Sequence, residues 1–199
     1  MPYLDFNVEE IDRLMRSRRS IFPQHFGKEL IPDKVIAELL ENARWAPTHG
    51  LTQPWFFMVF GGEGKTRLGS LLAEIYRQIT PEQDFKASKY QKHIDRAAQS
   101  SHVIALCMRR TPNTKIPEVE EVEAVACAAQ NIYLSLTARG LGGYWSSGGV
   151  VYSDVLKEEF GLGAQDKILG LFYVGVPLPT HEAVSYREPL DGKVQWILE

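Results

Sequence analysis

The residues able to do chemistry fall into three short segments. Arg18-Arg19-Ser20 sets two guanidinium groups and a hydroxyl in a row. A guanidinium fork binds phosphate through paired hydrogen bonds. A second fixed cation beside the pyrimidine edge of a flavin would favour the negative charge that reduction places there, with Ser20 adding a neutral hydrogen bond. The plainer alternative is a basic helix end that complements the helix dipole in water. The second segment, Ala46-Pro47-Thr48-His49-Gly50-Leu51-Thr52-Gln53-Pro54-Trp55, is a loop shaped by proline and glycine that delivers two polar side chains, His49 and Gln53. Loops of this kind carry binding residues, although Gln53 could equally satisfy buried backbone at the start of a strand. The third, Gly142-Gly143-Tyr144-Trp145-Ser146-Ser147-Gly148-Gly149, mixes small residues with two aromatics. Small residues let backbone amides approach a flat ring, and an amide aimed at flavin N5 would hold the point where hydride arrives. A simple glycine turn is the alternative there.

Other motifs fail on spacing or context. Gly61-Gly62-Glu63-Gly64-Lys65-Thr66 lies where a phosphate-binding loop would, but Val59 stands at a position that loop reserves for glycine. Gly140-Leu141-Gly142 opens like a dinucleotide fingerprint, yet Trp145 occupies the third glycine position and a helix, not a strand, precedes it. No Gly-x-Ser-x-Gly elbow is present. The five histidines, His25, His49, His93, His102 and His181, are dispersed, with no pair at the helical spacing of a metal site. Cys107 and Cys127 read as small core residues rather than as a bridge. Lys+Arg 22 against Asp+Glu 25 gives a net charge of -3, without the basic excess that neutralising a nucleic acid demands. No stretch is long and uncharged enough to cross a bilayer, and Met1 to Phe6 shows no basic flank before an apolar run. The expectation is a cytoplasmic protein with small-molecule partners, no nucleic acid and no membrane.

A chain of 199 residues that is 44% hydrophobic can bury one core, so a single domain over 1–199 is expected. Asn7 with Glu10 has the form of a capping box, which puts Arg18 at the end of a first helix. Asp33 can cap a second, in which Ile36, Leu39, Leu40 and Ala43 recur at helical spacing. Trp55 to Phe60 and Val103 to Met108 suggest strands buried on both faces, and Ile168 to Val176 suggests another. Lys65 to Ile79 reads as an amphipathic helix, and the polar stretch from Thr80 to Gln99 reads as a surface excursion able to cover a site. From Glu120 to Arg139 apolar residues recur at helical spacing while alanines fill the other faces, so this helix should be buried nearly all round and end at Gly140. The tail after Pro177 is poorly periodic, and its apolar Val194, Trp196 and Ile197 need a surface to lie against. Helices mixed with a few separated strands point to an α+β domain.

The ordered set Arg18-Arg19-Ser20, then Ala46-Pro47 with Gln53-Pro54-Trp55, then Gly140-Leu141-Gly142 with Trp145 and Gly148, resembles the nitroreductase family over nearly the whole chain. The short length and the His49 loop are similar to its compact branch. The resemblance implies a sandwich with a central, mainly antiparallel sheet flanked by helices, in an intertwined homodimer that binds flavin mononucleotide (FMN) at its interface. It implies phosphate, ribityl and pyrimidine contacts from Arg18, Arg19 and Ser20, an approach by His49 and Gln53, with His49 crossing from the second subunit, and a ring face lined by Trp145, Ser146 and Ser147. Arg187, in Ser185-Tyr186-Arg187, resembles the family's C-terminal phosphate-binding residue. The chain departs from larger members at Ser185 and Phe22, where they carry further basic residues. The implied activity is hydride transfer from NADPH or NADH to an electron-poor acceptor such as a nitroaromatic, a quinone or an enal-like compound, with no obligatory acid or base side chain. A flavin-binding module without turnover, and an oxygenase of the same fold that consumes FMN, are the rival readings.

Overall fold

The computed structural model describes residues 5–180 and 184–198. Residues 1–4 and His181, on which the sequence also bears, lie outside them. Six helices and four strands follow in the order α1 Val8–Ser17, α2 Asp33–Ala43, β1 Trp55–Phe60, α3 Gly62–Ile79, α4 Ala87–Gln99, β2 His102–Met108, α5 Glu118–Ala138, β3 Gly142–Ser146, α6 Asp154–Glu159 and β4 Lys167–Gly175. The strands form one sheet in the order β1-β2-β4-β3, and every neighbouring pair is antiparallel. Central β2 is buried at all seven positions, as a continuous apolar run requires. Its alternation sends Val103, Ala105 and Cys107 into a cluster with Leu68 and Leu72 of α3 and Leu156 of α6. Ile104, Leu106 and Met108 meet Ile36 and Leu39 of α2 and Val125 and Ile132 of α5 in a second cluster. Helices thus cover both faces, and the α+β sandwich read from the sequence is the fold. No helix among the described residues is long and apolar enough to cross a membrane.

The local signals account for most helix ends. Asn7 Oδ1 accepts from the Glu10 amide at 3.1 Å, closing the start of α1. Gly140, at φ 67°, ends α5, and the Leu141 amide returns to the Leu136 carbonyl at 2.9 Å. Both cysteines are free. Burial pushes the Cys107 thiol up to about 12, which removes it as a nucleophile at neutral pH.

Four expectations change. Asp33 does not cap α2: it is the helix's first residue, behind Pro32. Its carboxylate instead takes the His102 Nε2 hydrogen at 3.0 Å, while His102 Nδ1 faces Ser101 Oγ at 3.0 Å and that hydroxyl accepts from the Ile31 amide at 2.8 Å. Ser101 is buried, so this hydroxyl–imidazole–carboxylate chain pins the α2 entry to β2 rather than attacking a substrate. β1 is apolar throughout yet lies at the sheet edge and is only partly buried, with Val59 exposed. α5 buries a broad face rather than its whole circumference, and Val119 and Gln130 remain exposed. Thr80 to Gln99 is no simple excursion, because Ala87 to Gln99 forms α4 against α3. Gly69 permits that contact, since a Cβ there would stand 2.9 Å from the Ala97 methyl. Lys65, the basic residue of the apparent phosphate loop, donates instead to the Ala98 and Ser100 carbonyls at the end of α4.

Candidate functional site

The first binding segment is positioned by backbone pairing beside β3. Arg18 leaves the helical conformation after α1, and the Ile21 amide bonds the Gly143 carbonyl at 2.9 Å. Arg18-Arg19-Ser20 therefore runs across the end of α5 to the third segment, which is a strand for Gly142–Ser146 and not a glycine turn. The two glycines that conceal this strand are there for packing: a Cβ on Gly142 would reach within 2.8 Å of the Phe26 ring, and one on Gly143 within 2.8 Å of Leu136. Tyr133 of α5 joins the two segments. Its phenol accepts the Trp145 amide hydrogen at 2.9 Å, lies 3.2 Å from Ser20 Oγ, and its ring carries the Arg18 guanidinium at 4.9 Å. The Trp145 indole donates to the Leu169 carbonyl at 3.0 Å and lies directly over Gly170, where any Cβ would collide with it.

Two adjoining cavities open around these residues. One, of about 570 Å³, is lined by Arg16, Arg18, Arg19, Gln130, Ser185 and Arg187. The other, of about 400 Å³, has Arg18, Ser20, Tyr133, Trp145, Ser147 and Tyr152 on its walls. Arg18 and Gln130 border both. Arg16 is paired with Asp12 at 2.8 Å. Arg18, Arg19 and Arg187 form no ion pair with a carboxylate among the described residues, and the buried Nε of Arg19 has no hydrogen-bond partner. Three guanidinium groups without a carboxylate partner and one orphaned donor make this cavity strongly cationic. The structure thus brings together Arg18, Arg19, Ser20, Trp145, Ser147 and Arg187.

Arg96 of α4 was not singled out by the sequence. Its NH1 donates to Ser146 Oγ at 3.3 Å, and its guanidinium lies 5.3 Å from the centre of the Tyr144 ring. Tyr144 in turn packs against Phe22, the two rings tilted with centroids 4.4 Å apart. Arg96 therefore brings a cation from another helix to the Tyr144 ring that Phe22 also contacts. Arg96 and His93 line a third cavity, of about 400 Å³, that meets the second at Ser147. Burial, with Arg96 and Lys92 adding to it, lowers the His93 imidazole to about 4, so it is neutral at physiological pH. Because an unfolded His titrates near 6.5, the unfolded state binds the extra proton first, and stability should fall as pH drops from about 6.5 towards 4. His93→Gln is expected to flatten that slope by roughly 1–2 kcal/mol after allowance for partial exposure, read as melting temperature against pH. An unchanged slope would place the titration elsewhere.

His49 and Gln53 stand apart from these cavities within the protomer. His49 Nδ1 lies 2.5 Å from Glu120 Oε2, and its side chain is 64% exposed, leaving the other nitrogen available. Gly50, Leu51 and Gln53 have φ of 57°, 54° and 45°, the left-handed region, which costs energy at the two non-glycine positions. The Gln53 amide bonds Thr48 Oγ1 at 3.1 Å, which helps to hold this conformation. The tail beyond residue 183 has no regular structure among its described residues and leaves Trp196 and Ile197 exposed.

Residues 15–176 match the model of the nitroreductase family. YdjA of Escherichia coli (strain K12), which bears the name of an NAD(P)H nitroreductase, is 35% identical over 156 residues, covering 77% of this chain and 82% of its own. Among solved structures, a nitroreductase-like family protein from Bacillus cereus superposes with a TM-score of 0.82 at 27% identity, covering 98% of each chain. The FMN-dependent nitroreductase NfnB from Mycobacterium smegmatis, solved in complex with NADPH, has the same fold at a TM-score of 0.75 and 19% identity, over 96% of this chain and 99% of its own.

Proposed function

Because the chain belongs to the nitroreductase family, we propose that it is an FMN-dependent oxidoreductase passing hydride from NADPH or NADH to an electron-poor acceptor. The observation that carries this reading is the convergence of Arg18, Arg19 and Arg187 on one cavity without a carboxylate among its lining residues. That donor set fits a phosphate monoester, and the unpartnered Arg19 Nε is the kind of atom such a ligand satisfies. The adjoining cavity leads from Arg18 to Trp145 and Ser147, as expected of a site that receives a planar ring after its phosphate.

When bound, FMN would supply the two-electron redox chemistry that links the nucleotide to the acceptor. The chain's own residues position and polarise. Arg18, Arg19 and Arg187 would hold the phosphate, Ser20 is kept in place by Tyr133, and Trp145 and Ser147 would line the ring, with Ser146 in the wall of the neighbouring cavity. Arg96, fixed by Ser146 and Tyr144, would add a cation near the ring that could favour the negative charge of its reduced form. His49 and Gln53 complete the site from the second subunit of a homodimer, and the Glu120 carboxylate orients the His49 ring for that contact. No side chain acts as an obligatory acid or base, so positioning and electrostatics account for the protein's contribution. Donor and acceptor would react in turn, one leaving before the other arrives. Initial rates with both substrates varied are therefore expected to give parallel double-reciprocal lines. Intersecting lines would exclude this ping-pong order.

A further inference from the structure

The third cavity holds more positive charge than a flavin edge would use. Three residues of α4, Lys89, His93 and Arg96, line it at successive helical turns, opposite Tyr76 and the Ser146-Ser147 segment. Arg96 is engaged with Ser146 and Tyr144. Lys89 has no hydrogen-bond or ion-pair partner for its ammonium among the described residues, and it lies seven residues, about 10 Å along the helix, from Arg96. No acidic side chain is among the lining residues. At about 400 Å³ the space suits a one-ring organic molecule. Its polar side chains are cationic or neutral: Lys89 and Arg96, a neutral imidazole packed 5.8 Å from the Tyr76 ring, and serine, threonine and tyrosine hydroxyls. A chamber so built attracts negative charge and has nothing with which to repel it.

We propose that this cavity is the acceptor chamber and that Lys89 makes it selective for electron-poor aromatics or quinones bearing a carboxylate. The inference rests on the flavin-reductase reading and adds the substrate class to it. The carboxylate pairs with Lys89 while the reducible group points towards Ser147 and the flavin site. The electron balance is that of the parent reaction: a nitro group, NAD(P)H and a proton give a nitroso group, NAD(P)+ and water, or a quinone gives its hydroquinone, and the carboxylate is unchanged.

The test compares charged and neutral probes of one shape. Calorimetric titration of the oxidised, FMN-loaded protein with benzoate and with benzamide needs no turnover. Benzoate is expected to bind about tenfold more tightly than benzamide, and Lys89→Ala to remove about fivefold of that preference, a figure discounted for an exposed cation. Lys89→Glu should invert it. Anaerobically reduced protein should oxidise faster with 4-nitrobenzoate than with 4-nitrobenzamide, with the same dependence on Lys89, while reduction by NADPH or NADH is unchanged in Lys89→Ala. Equal binding of the two probes, or a preference indifferent to Lys89, would overturn the proposal and leave the flavin reading intact. So would a Lys89 effect confined to the nucleotide step, which would assign the cation to the donor's phosphates. A protein that takes up no FMN would remove the reading itself and this proposal with it.

Discussion

Arg18→Ala is expected to raise the dissociation constant for FMN by between ten- and a hundredfold, because charge-assisted hydrogen bonds to a phosphate contribute about 1.5–3 kcal/mol. Arg18 is the residue chosen because it borders both the arginine-lined cavity and the one that reaches Trp145. Its guanidinium already rests on the Tyr133 ring at 4.9 Å, so little side-chain freedom is lost on binding. Arg18→Lys should recover only part of the affinity, since an ammonium keeps the charge but loses the planar fork and its stacking. Flavin fluorescence quenched on titration into the apoprotein reads this directly. Unaltered affinity in Arg18→Ala would contradict the placement of the phosphate.

Glu121→Ala is expected to cost about 3–5 kcal/mol of stability, the range for removing one partner of a buried ion pair. Glu121 is fully buried in the first turn of α5 and pairs with Arg110, whose NH2 also donates to the Ile116 carbonyl at 2.6 Å. The Arg110 backbone amide is held by Asp166 Oδ1 at 2.8 Å. Alanine would leave the largely buried Arg110 guanidinium without its carboxylate partner. A loss of that size lowers the melting temperature by roughly 6–20 °C in a chain of this length. The damage should extend to the His49 loop, because Ile116 packs against Gly50, where even a Cβ would come within 2.7 Å of its Cδ1. Glu121→Gln, which keeps the shape and one acceptor, should cost less. Equal melting temperatures for wild type and Glu121→Ala would refute the structural role of the pair.

The parts of the fold that were legible in the sequence are those specified locally. β2 reads as a buried strand because Val103 to Met108 is a continuous apolar run, and it pairs on both edges. α5 ends at Gly140 because a left-handed residue is needed there. What escaped depended on distant partners. α4 presents Tyr90, Ile94 and Ala97 at helical spacing, but its polar surroundings hide that stripe, and only the close approach of Gly69 gives the helix its bed. β3 was not read as a strand, because Gly142 and Gly143, which also allow a turn, clear room for Phe26, Leu136 and Phe172, none of them near in sequence. Asp33 looked like a cap until His102, distant in the chain, proved to be its partner.

The candidate site divides along the same line. Arg18, Arg19, Ser20, Trp145, Ser147 and Arg187 come together in the structure, and Ser146 joins them through Arg96. Arg96 carried no signal of its own, because it becomes informative only when the fold lays α4 beside Tyr144, at the place where Phe22 leaves the site without a basic side chain. Tyr133 was not singled out in the sequence, yet it is the group that ties the first segment to the third. His49 and Gln53 do not line these cavities, and their part in the site belongs to the proposed homodimer.

The account's central claim is that this chain holds FMN and reduces it with a nicotinamide nucleotide. The most direct measurement is an anaerobic titration of the FMN-reconstituted protein with NADPH and, separately, NADH, following the visible flavin band, with an electron-poor acceptor added at the end point. The account predicts that the band bleaches with at least one nucleotide, identifying the donor, and returns when the acceptor is added. A protein that cannot be loaded with FMN, or whose bound flavin keeps its oxidised spectrum with both nucleotides, would contradict it.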